Sequence, residues 1–151
     1  MKVFVDTNVI LENLLMREES KIVHQLFQKF QQQECQLYMS VGSFYTMIFL
    51  VDKYLRKEVG LIGESRVMAL RLIMSDLLQT VRVAEHDNNS LLNAVNDIRF
   101  RDMEDSCQYE LAQKCGCSFL LTFNISDFSV GNDYPVRVLT PNQYLNLYSN
   151  K

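Results

Sequence analysis

Val3-Phe4-Val5-Asp6-Thr7-Asn8, at the start of the chain, decides how the rest is read. Three apolar residues, two of them β-branched, run without polar alternation and stop at an aspartate. Such a run suits a strand covered on both faces, as in a parallel sheet. Its counterpart lies near the other end. Phe119-Leu120-Leu121-Thr122 is a second run of this kind, followed by Asn124 and Asp127 and preceded by Asp102, Glu104 and Asp105. Open parallel sheets bind ligands beyond the carboxyl ends of their strands. Carboxylates gathered at that edge repel one another and demand a divalent cation.

Between these stretches the pattern alternates. Helical periodicity runs over about 8–15, with Val9, Leu11, Leu14 and Leu15 inward. A second stripe, Ile22, Val23, Leu26, Phe27 and Phe30, follows Ser20 as its cap. Leu37-Tyr38-Met39 reads as a strand, and Ser40 or Ser43 as the cap of a helix reaching 54–57. Gly60 to Gly63 breaks it, and another helix covers about 64–79. Val81–Ala84 is a strand. Asp87 or Asn88 caps a helix through Leu91, Leu92, Ala94, Val95 and Ile98. The next helix begins near Met103 and ends at Gly116. Val136–Leu139 is the last strand, and Thr140-Pro141 opens a terminal helix. Strands alternating with helices predict an α/β fold: three α/β/α layers around a central parallel sheet of four to five strands.

Composition agrees with a single domain over 1–151. The 151 residues are 48% hydrophobic and 22% charged, with only 5 Gly and 2 Pro, which favours long elements and short connections. A net charge of −3 gives no electrostatic footprint for strong non-specific nucleic-acid binding, although a local basic patch is compatible with it. No leader pattern and no apolar run of bilayer length is visible, so a cytoplasmic protein with no membrane contact is expected. Cys35, Cys107, Cys115 and Cys117 include a CxC but no CxxC. Cys107 and Cys115 fall on an apolar helical stripe, and reduced core thiols are expected.

Each acid has two readings. Asp6 is either a loop or capping residue, or a metal ligand at the sheet edge with Thr7 and Asn8 fixing its rotamer. Asp102 as N-cap, with Glu104 and Asp105 behind it, complements the helix dipole. Yet Asp105 shares a helical face with Tyr109 and Ala112, and Glu104 shares one with Cys107, Leu111 and Cys115. A carboxylate aimed at a sheet is costly unless paired or bound to metal. Asn124 and Asp127 are either Asx-turn residues or further ligands beside Asp6. His24 and His86 lack ligand-spaced partners and read as structural or solvated, which makes zinc improbable. No phosphate-binding glycine loop, dinucleotide fingerprint or nucleophile elbow is present.

Taken together, D-T-N at 6–8, E-D-x-x-Q-Y-x-x-A at 104–112 and T-x-N-x-x-D-F at 122–128 resemble the PIN domain, the ribonuclease fold of VapC-type toxins. The order of elements fits over nearly the whole chain. The resemblance implies hydrolysis of RNA phosphodiesters with Mg²⁺ or Mn²⁺. It implies Asp6, Asp105 and Asp127 as catalytic residues, and Glu104 and Asn124 as further metal ligands beside these three. Thr7, Asn8 and Arg17 would contact substrate. A small antitoxin protein and a homodimer are the partners it implies besides RNA; the Tyr- and Met-bearing helix spanning 44–54 suits an interface or, equally, core packing. Lys53, Arg56, Lys57, Arg99 and Arg101 are basic residues able to flank a groove, or to sit on solvated faces.

Two departures stand out. The family usually carries a glutamate early in the helix after the second strand, near Thr46 here, and residues 40–47 contain no acid. Glu104 is placed to stand in for it. Phe123 occupies a position where arginine is common. These departures motivate an alternative expectation, a PIN-like module that binds RNA or a protein without cutting. A receiver or phosphohydrolase needs a lysine near a late strand end, and the region after Leu121-Thr122 has none.

Overall fold

The computed structural model of the chain describes residues 1–128 and 134–149. Along the chain it forms β1 (Lys2–Val5), α1 (Thr7–Leu14), α2 (Ser20–Gln32), β2 (Gln36–Ser40), α3 (Val41–Lys57), α4 (Gly63–Thr80) and β3 (Val81–Ala84). Then come α5 (Asn88–Asn96), α6 (Met103–Lys114), β4 (Phe119–Leu121), a single 3₁₀ turn (Ile125–Asp127), β5 (Arg137–Leu139) and α7 (Pro141–Leu147). The five strands pair in parallel in the order β3-β2-β1-β4-β5, with helices on both faces. This is the expected three-layer arrangement, at the upper of the two expected strand counts.

Register explains the unbroken apolar run of β1. Val3 pairs with Leu37 and Phe119, Phe4 with Tyr38 and Leu120, and Val5 with Leu121. Alternate side chains point to opposite faces. Val3 and Val5 enter the larger core with Val9, Leu26, Met47, Val51 and Tyr144, whereas Phe4 enters a second core with Tyr109, Leu111, Ala112 and Leu120. Burial of each such side chain stabilises the fold by about 1.5–3 kcal/mol.

The path of the chain creates the edge that matters. It adds β2 and β3 on one side of β1, then returns to place β4 and β5 on the other. The order therefore reverses between β1 and β4, and a crevice opens beyond their carboxyl ends. The Asp6 amide donates to the Leu121 carbonyl at 2.9 Å, and the Thr122 amide donates to Leu139 at 3.1 Å. These bonds carry the pairing one residue past the strands, into that crevice.

Helix boundaries follow local chemistry. Ser40 caps α3 by accepting from the Ser43 amide, and Asp87 and Ser90 cap α5 reciprocally, as do Thr140 and Gln143 for α7 with Pro141 in its first turn. Gly116 ends the α6 region at φ 68°, where a side chain would be strained. Ser20 does not cap α2; it is the first helical residue, and Glu19 holds the cap position without a side-chain bond.

Two expectations about burial are corrected. Of α5 only Ser90 and Ala94 are buried; Leu91, Leu92 and Val95 are exposed, and Ile98 beyond it is 96% exposed. All four cysteines are free, but only Cys117 is buried. Cys107 and Cys115 lie at the margin of their stripe because the buried face of α6 turns through Ser106, Gln108, Tyr109, Leu111 and Ala112. No helix among the described residues is long and apolar enough to cross a membrane.

Candidate functional site

Asp6 is the centre of the crevice. It follows β1 at the N-cap position of α1, its carbonyl accepts from the Val9 and Ile10 amides, and its side chain makes no capping bond. The carboxylate is free to point elsewhere, and it meets the β4 end. Thr122 Oγ1 donates to Asp6 Oδ2 at 2.8 Å. Asp6 is only 5% exposed. Burial pushes its carboxyl above the ordinary range, opposed by hydrogen bonds from the Thr122 and Gln108 side chains.

Neighbouring polar groups hold this arrangement. Asn8 Nδ2 donates to Thr122 Oγ1 at 3.4 Å, while Asn8 Oδ1 accepts from the Phe123 amide at 3.3 Å. The Asn124 amide donates to Thr122 Oγ1 at 3.0 Å, so the turn after β4 is fastened to the hydroxyl that also serves Asp6. Thr7 Oγ1 donates to Ser43 Oγ at 2.6 Å, and Ser43 Oγ lies 2.9 Å from Ser40 Oγ. One network thus ties the ends of β1, β2 and β4. Thr7 and Asn8 act in it as braces. The Asn124 side chain is on the exposed side of the turn. Asp127 closes the 3₁₀ turn, and its side chain lies outside the described residues.

The opposite wall comes from α6. Asp102 is the N-cap expected of it, accepting from the Glu104 amide at 2.7 Å and the Asp105 amide at 3.3 Å. Glu104 is exposed, and Asp105 is half-buried. Burial, then the charges of Asp6 and Asp102, push the Glu104 carboxyl upward. The structure therefore brings Glu104 within electrostatic reach of Asp6. Gln108, one helical turn on, is 4% exposed and lines the same wall. Its amide nitrogen faces the Asp6 carboxylate, and its Oε1 is buried without a partner.

Sequence reasoning quoted Gln108 within a motif but gave it no role. Its spacing of four from Glu104 was the available signal. Thr122 was missed because a threonine at a strand end reads as ordinary β-structure. His86 was read as structural or solvated. It lines, with Ser40, Val41, Gly42, Thr46, Met103, Glu104, Cys107 and Gln108, a cavity of ≈ 390 Å³ beside the carboxylates. Thr46, where the glutamate is absent, is in that lining.

The basic residues divide. Arg17 lies in a cleft with Lys53 and Lys57. Its amide donates to the Glu12 carbonyl at 3.1 Å, so its backbone lies beside the second half of α1. Arg99 is taken by the Asp97 carboxylate and by the Tyr134 ring, 4.5 Å from its guanidinium carbon. Its place is structural.

Oxygen donors dominate the crevice: the Asp6 and Glu104 carboxylates, with Asp105 beside them on α6. Such a set suits a hard cation, which would relieve the mutual repulsion. Among the described residues, however, no three His, Cys, Asp or Glu side chains gather closely enough to hold a metal ion.

Comparison with known proteins gives the following. The profile described as "PIN domain" matches residues 2–126. A search of curated proteins gives no match. Among solved structures, VapBC2 of Rickettsia felis bound to a promoter DNA fragment superposes with a TM-score of 0.65 at 9% identity, covering 93% of this chain and 98% of that one. VapBC-1 of nontypeable Haemophilus influenzae gives 0.62 at 20% identity, over 94% and 99%. VapC20 of Mycobacterium tuberculosis, a sarcin-ricin loop cleaving toxin, gives 0.59 at 19% identity, over 89% and 98%. At these identities the likeness is one of fold.

Proposed function

The chain belongs to the PIN domain family, and from that premise we propose that it is a divalent-cation-dependent endoribonuclease, the toxin of a toxin–antitoxin pair. The observation that carries this reading is the Asp6 carboxylate, 5% exposed at the strand-order reversal and held by the Thr122 hydroxyl from β4. A buried carboxylate with a raised pKa is unfavourable for the fold alone, and such groups cluster at functional sites.

In this reading Asp6, Asp105 and Asp127 carry the catalysis, and Glu104 and Asn124 complete the surroundings of a Mg²⁺ or Mn²⁺ ion. The ion supplies water activation and charge neutralisation at the phosphate. Thr122 and Gln108 hold the Asp6 carboxylate in one rotamer. Asn8 and Thr7 keep the β1 and β4 ends at fixed spacing. The whole of 1–151 is read as one functional unit acting on RNA in the cytoplasm.

The test is cleavage of a mixed structured and single-stranded RNA pool by purified protein with Mn²⁺ or Mg²⁺, beside Asp6→Asn and Asp105→Asn. Chelator-sensitive cutting lost in both variants supports the reading. Cutting that survives in the variants marks a contaminant.

A second reading, a binding module that does not cut, is favoured by one observation: no three metal-binding side chains converge among the described residues. Mn²⁺ titration separates the two, since absence of binding at millimolar concentration leaves the module. The partner proposed is a small antitoxin protein, a reading supported by the likeness of the fold to the VapBC structures. A homodimer is proposed through α3, whose Tyr45 and Phe49 are each 66% exposed one turn apart. A monomer by light scattering at high concentration would remove the dimer.

A further inference from the structure

A polyanion that approaches the carboxylate crevice meets an unfavourable charge. The net charge of the chain is −3. The cavity beside Glu104 has no lysine or arginine in its lining, and Arg99 is committed to Asp97. Affinity for RNA comes largely from cations set against its phosphates. An edge that cuts RNA therefore needs cations supplied from another part of the surface.

One concave place gathers them. Arg17, Lys53 and Lys57 line a cleft of ≈ 290 Å³ between the turn after α1 and the C-terminal half of α3. Glu58 is the one acid in that lining, which Glu18 does not enter. Among the described residues, none of the three cations forms an ion pair. Two neighbouring carboxylates are engaged elsewhere: Glu12 accepts from the Glu19 amide at 3.0 Å, and Asp52 pairs with Arg66 at 3.1 Å. Lys53 and Lys57 stand four residues apart on one helix, a spacing at which like charges repel. The helix dipole favours Lys57 in the last turn of α3. It gives no reason for Lys53 or Arg17.

Arg17 springs from a fixed backbone. Its amide donates to the Glu12 carbonyl at 3.1 Å, and its carbonyl accepts from the Ser20 amide at 3.0 Å. Met16 before it holds a left-handed φ of 50°, a conformation costly for any residue with a side chain. Leu15, Leu50 and Tyr54 complete the cleft with apolar surface and an aromatic ring. Asp6 and Leu15 are the N-cap and C-cap of α1, so a single helix links the acids to the cleft.

We propose that this cleft binds the phosphate backbone of the RNA strand away from the bond cut, with Arg17, Lys53 and Lys57 as the phosphate contacts. The proposal rests on the nuclease reading of the carboxylate edge. A single strand presents a phosphate at every nucleotide and a base between, which suits cations set around an aromatic ring. Binding energy gained at remote phosphates offsets the repulsion met at the acids.

The test uses the whole protein in chelator, where nothing is cut. Binding of a labelled oligouridylate is followed by fluorescence anisotropy over a range of potassium chloride. The variant carries Arg17→Gln, Lys53→Gln and Lys57→Gln together, and its melting transition is checked against the parent. We expect its Kd to rise by about tenfold at low salt and its salt slope to fall by about 2, at about 0.7 per lost contact. Lys53→Arg with Lys57→Arg should keep the parent slope, because charge and not shape is read. Inorganic phosphate and an octaglutamate peptide are titrated as competitors.

In a parallel arm the same proteins cut RNA with Mn²⁺, and the triple variant should lose about tenfold in kcat/KM through KM. No binding by the parent, or an unchanged slope in the triple variant, would overturn the cleft while cutting by the parent leaves the nuclease intact. Octaglutamate binding tighter than oligouridylate and lost in the triple variant would make the cleft a seat for an acidic protein segment. Inorganic phosphate displacing RNA of any length equally well would reduce it to a site for a free anion. Either result would overturn the RNA assignment. Cleft-dependent RNA binding by a protein that cuts nothing would overturn the nuclease and keep the cleft.

Discussion

Thr122 Oγ1 donates to Asp6 Oδ2 at 2.8 Å across 116 residues of sequence, and this bond joins the two strand ends that flank the crevice. The same oxygen accepts from Asn124 and Asn8, so the hydroxyl proton has one destination, the carboxylate.

Thr122→Val keeps the shape and removes that donor. The ionised Asp6 carboxylate then lacks one of its hydrogen bonds, and its pKa rises further. We expect a loss of about 1–2 kcal/mol at neutral pH, shrinking as the carboxyl is protonated in acid. Urea unfolding at two pH values checks it; an equal loss at both would separate Thr122 from the Asp6 charge.

Asp6→Asn should stabilise the cation-free protein while abolishing RNA cutting. Burial raises the Asp6 pKa above 3.8. A group raised in the folded state contributes stability below its unfolded value and loses it as pH rises through the folded one. At neutral pH the ionised side chain therefore opposes folding, and a neutral amide that still accepts from Thr122 does not. A gain of about 1 kcal/mol is expected by thermal melting, and a fall would contradict the burial argument.

Glu104 is raised above 4.5 by burial and by Asp6 and Asp102. The two acids together make cation-free stability decline as pH rises through their folded values. Protons and a divalent cation compete for these oxygens. The rise in Tm on adding Mn²⁺ should accordingly be larger at about pH 7.5 than at about pH 5. Thr46→Glu, which restores an acid to the cavity wall, should tighten Mn²⁺ binding by calorimetry. Unchanged affinity would mean that position 46 does not face the ion.

Arg99→Lys tests a structural role. The guanidinium grips Asp97 through two nitrogens and lies over Tyr134, a geometry that lysine does not reproduce. Arg99 holds the Asp97 carboxyl low, so the stability that Asp97 contributes is present above 3.8 and fades as pH falls. We expect a loss of about 1–2 kcal/mol at neutral pH. The salt dependence of RNA binding should not change; a shallower slope would make Arg99 a phosphate contact instead.

Much of the fold was legible because it is periodic. β1 and β4 are apolar without alternation, which only a doubly covered strand tolerates, and the caps at Ser40, Asp87, Asp102 and Thr140 are local hydrogen-bonding choices. Asp6 was legible as an acid where a strand stops. Burial on α5 was not. Leu91, Leu92 and Val95 look like a core stripe, yet the helix packs against α6 through Ser90 and Ala94, and hydrophobicity alone does not say which face is covered.

The sequence by itself determined the element order, the parallel sheet and the acids at its strand ends, since these follow from residue-level periodicity and capping. The tertiary structure decided which of those groups meet. Strand order β3-β2-β1-β4-β5 sets Asp6 beside Thr122, and the packing of α6 aims Gln108 at Asp6. Burial and partnership are properties of residues far apart in the chain, and no local pattern encodes them.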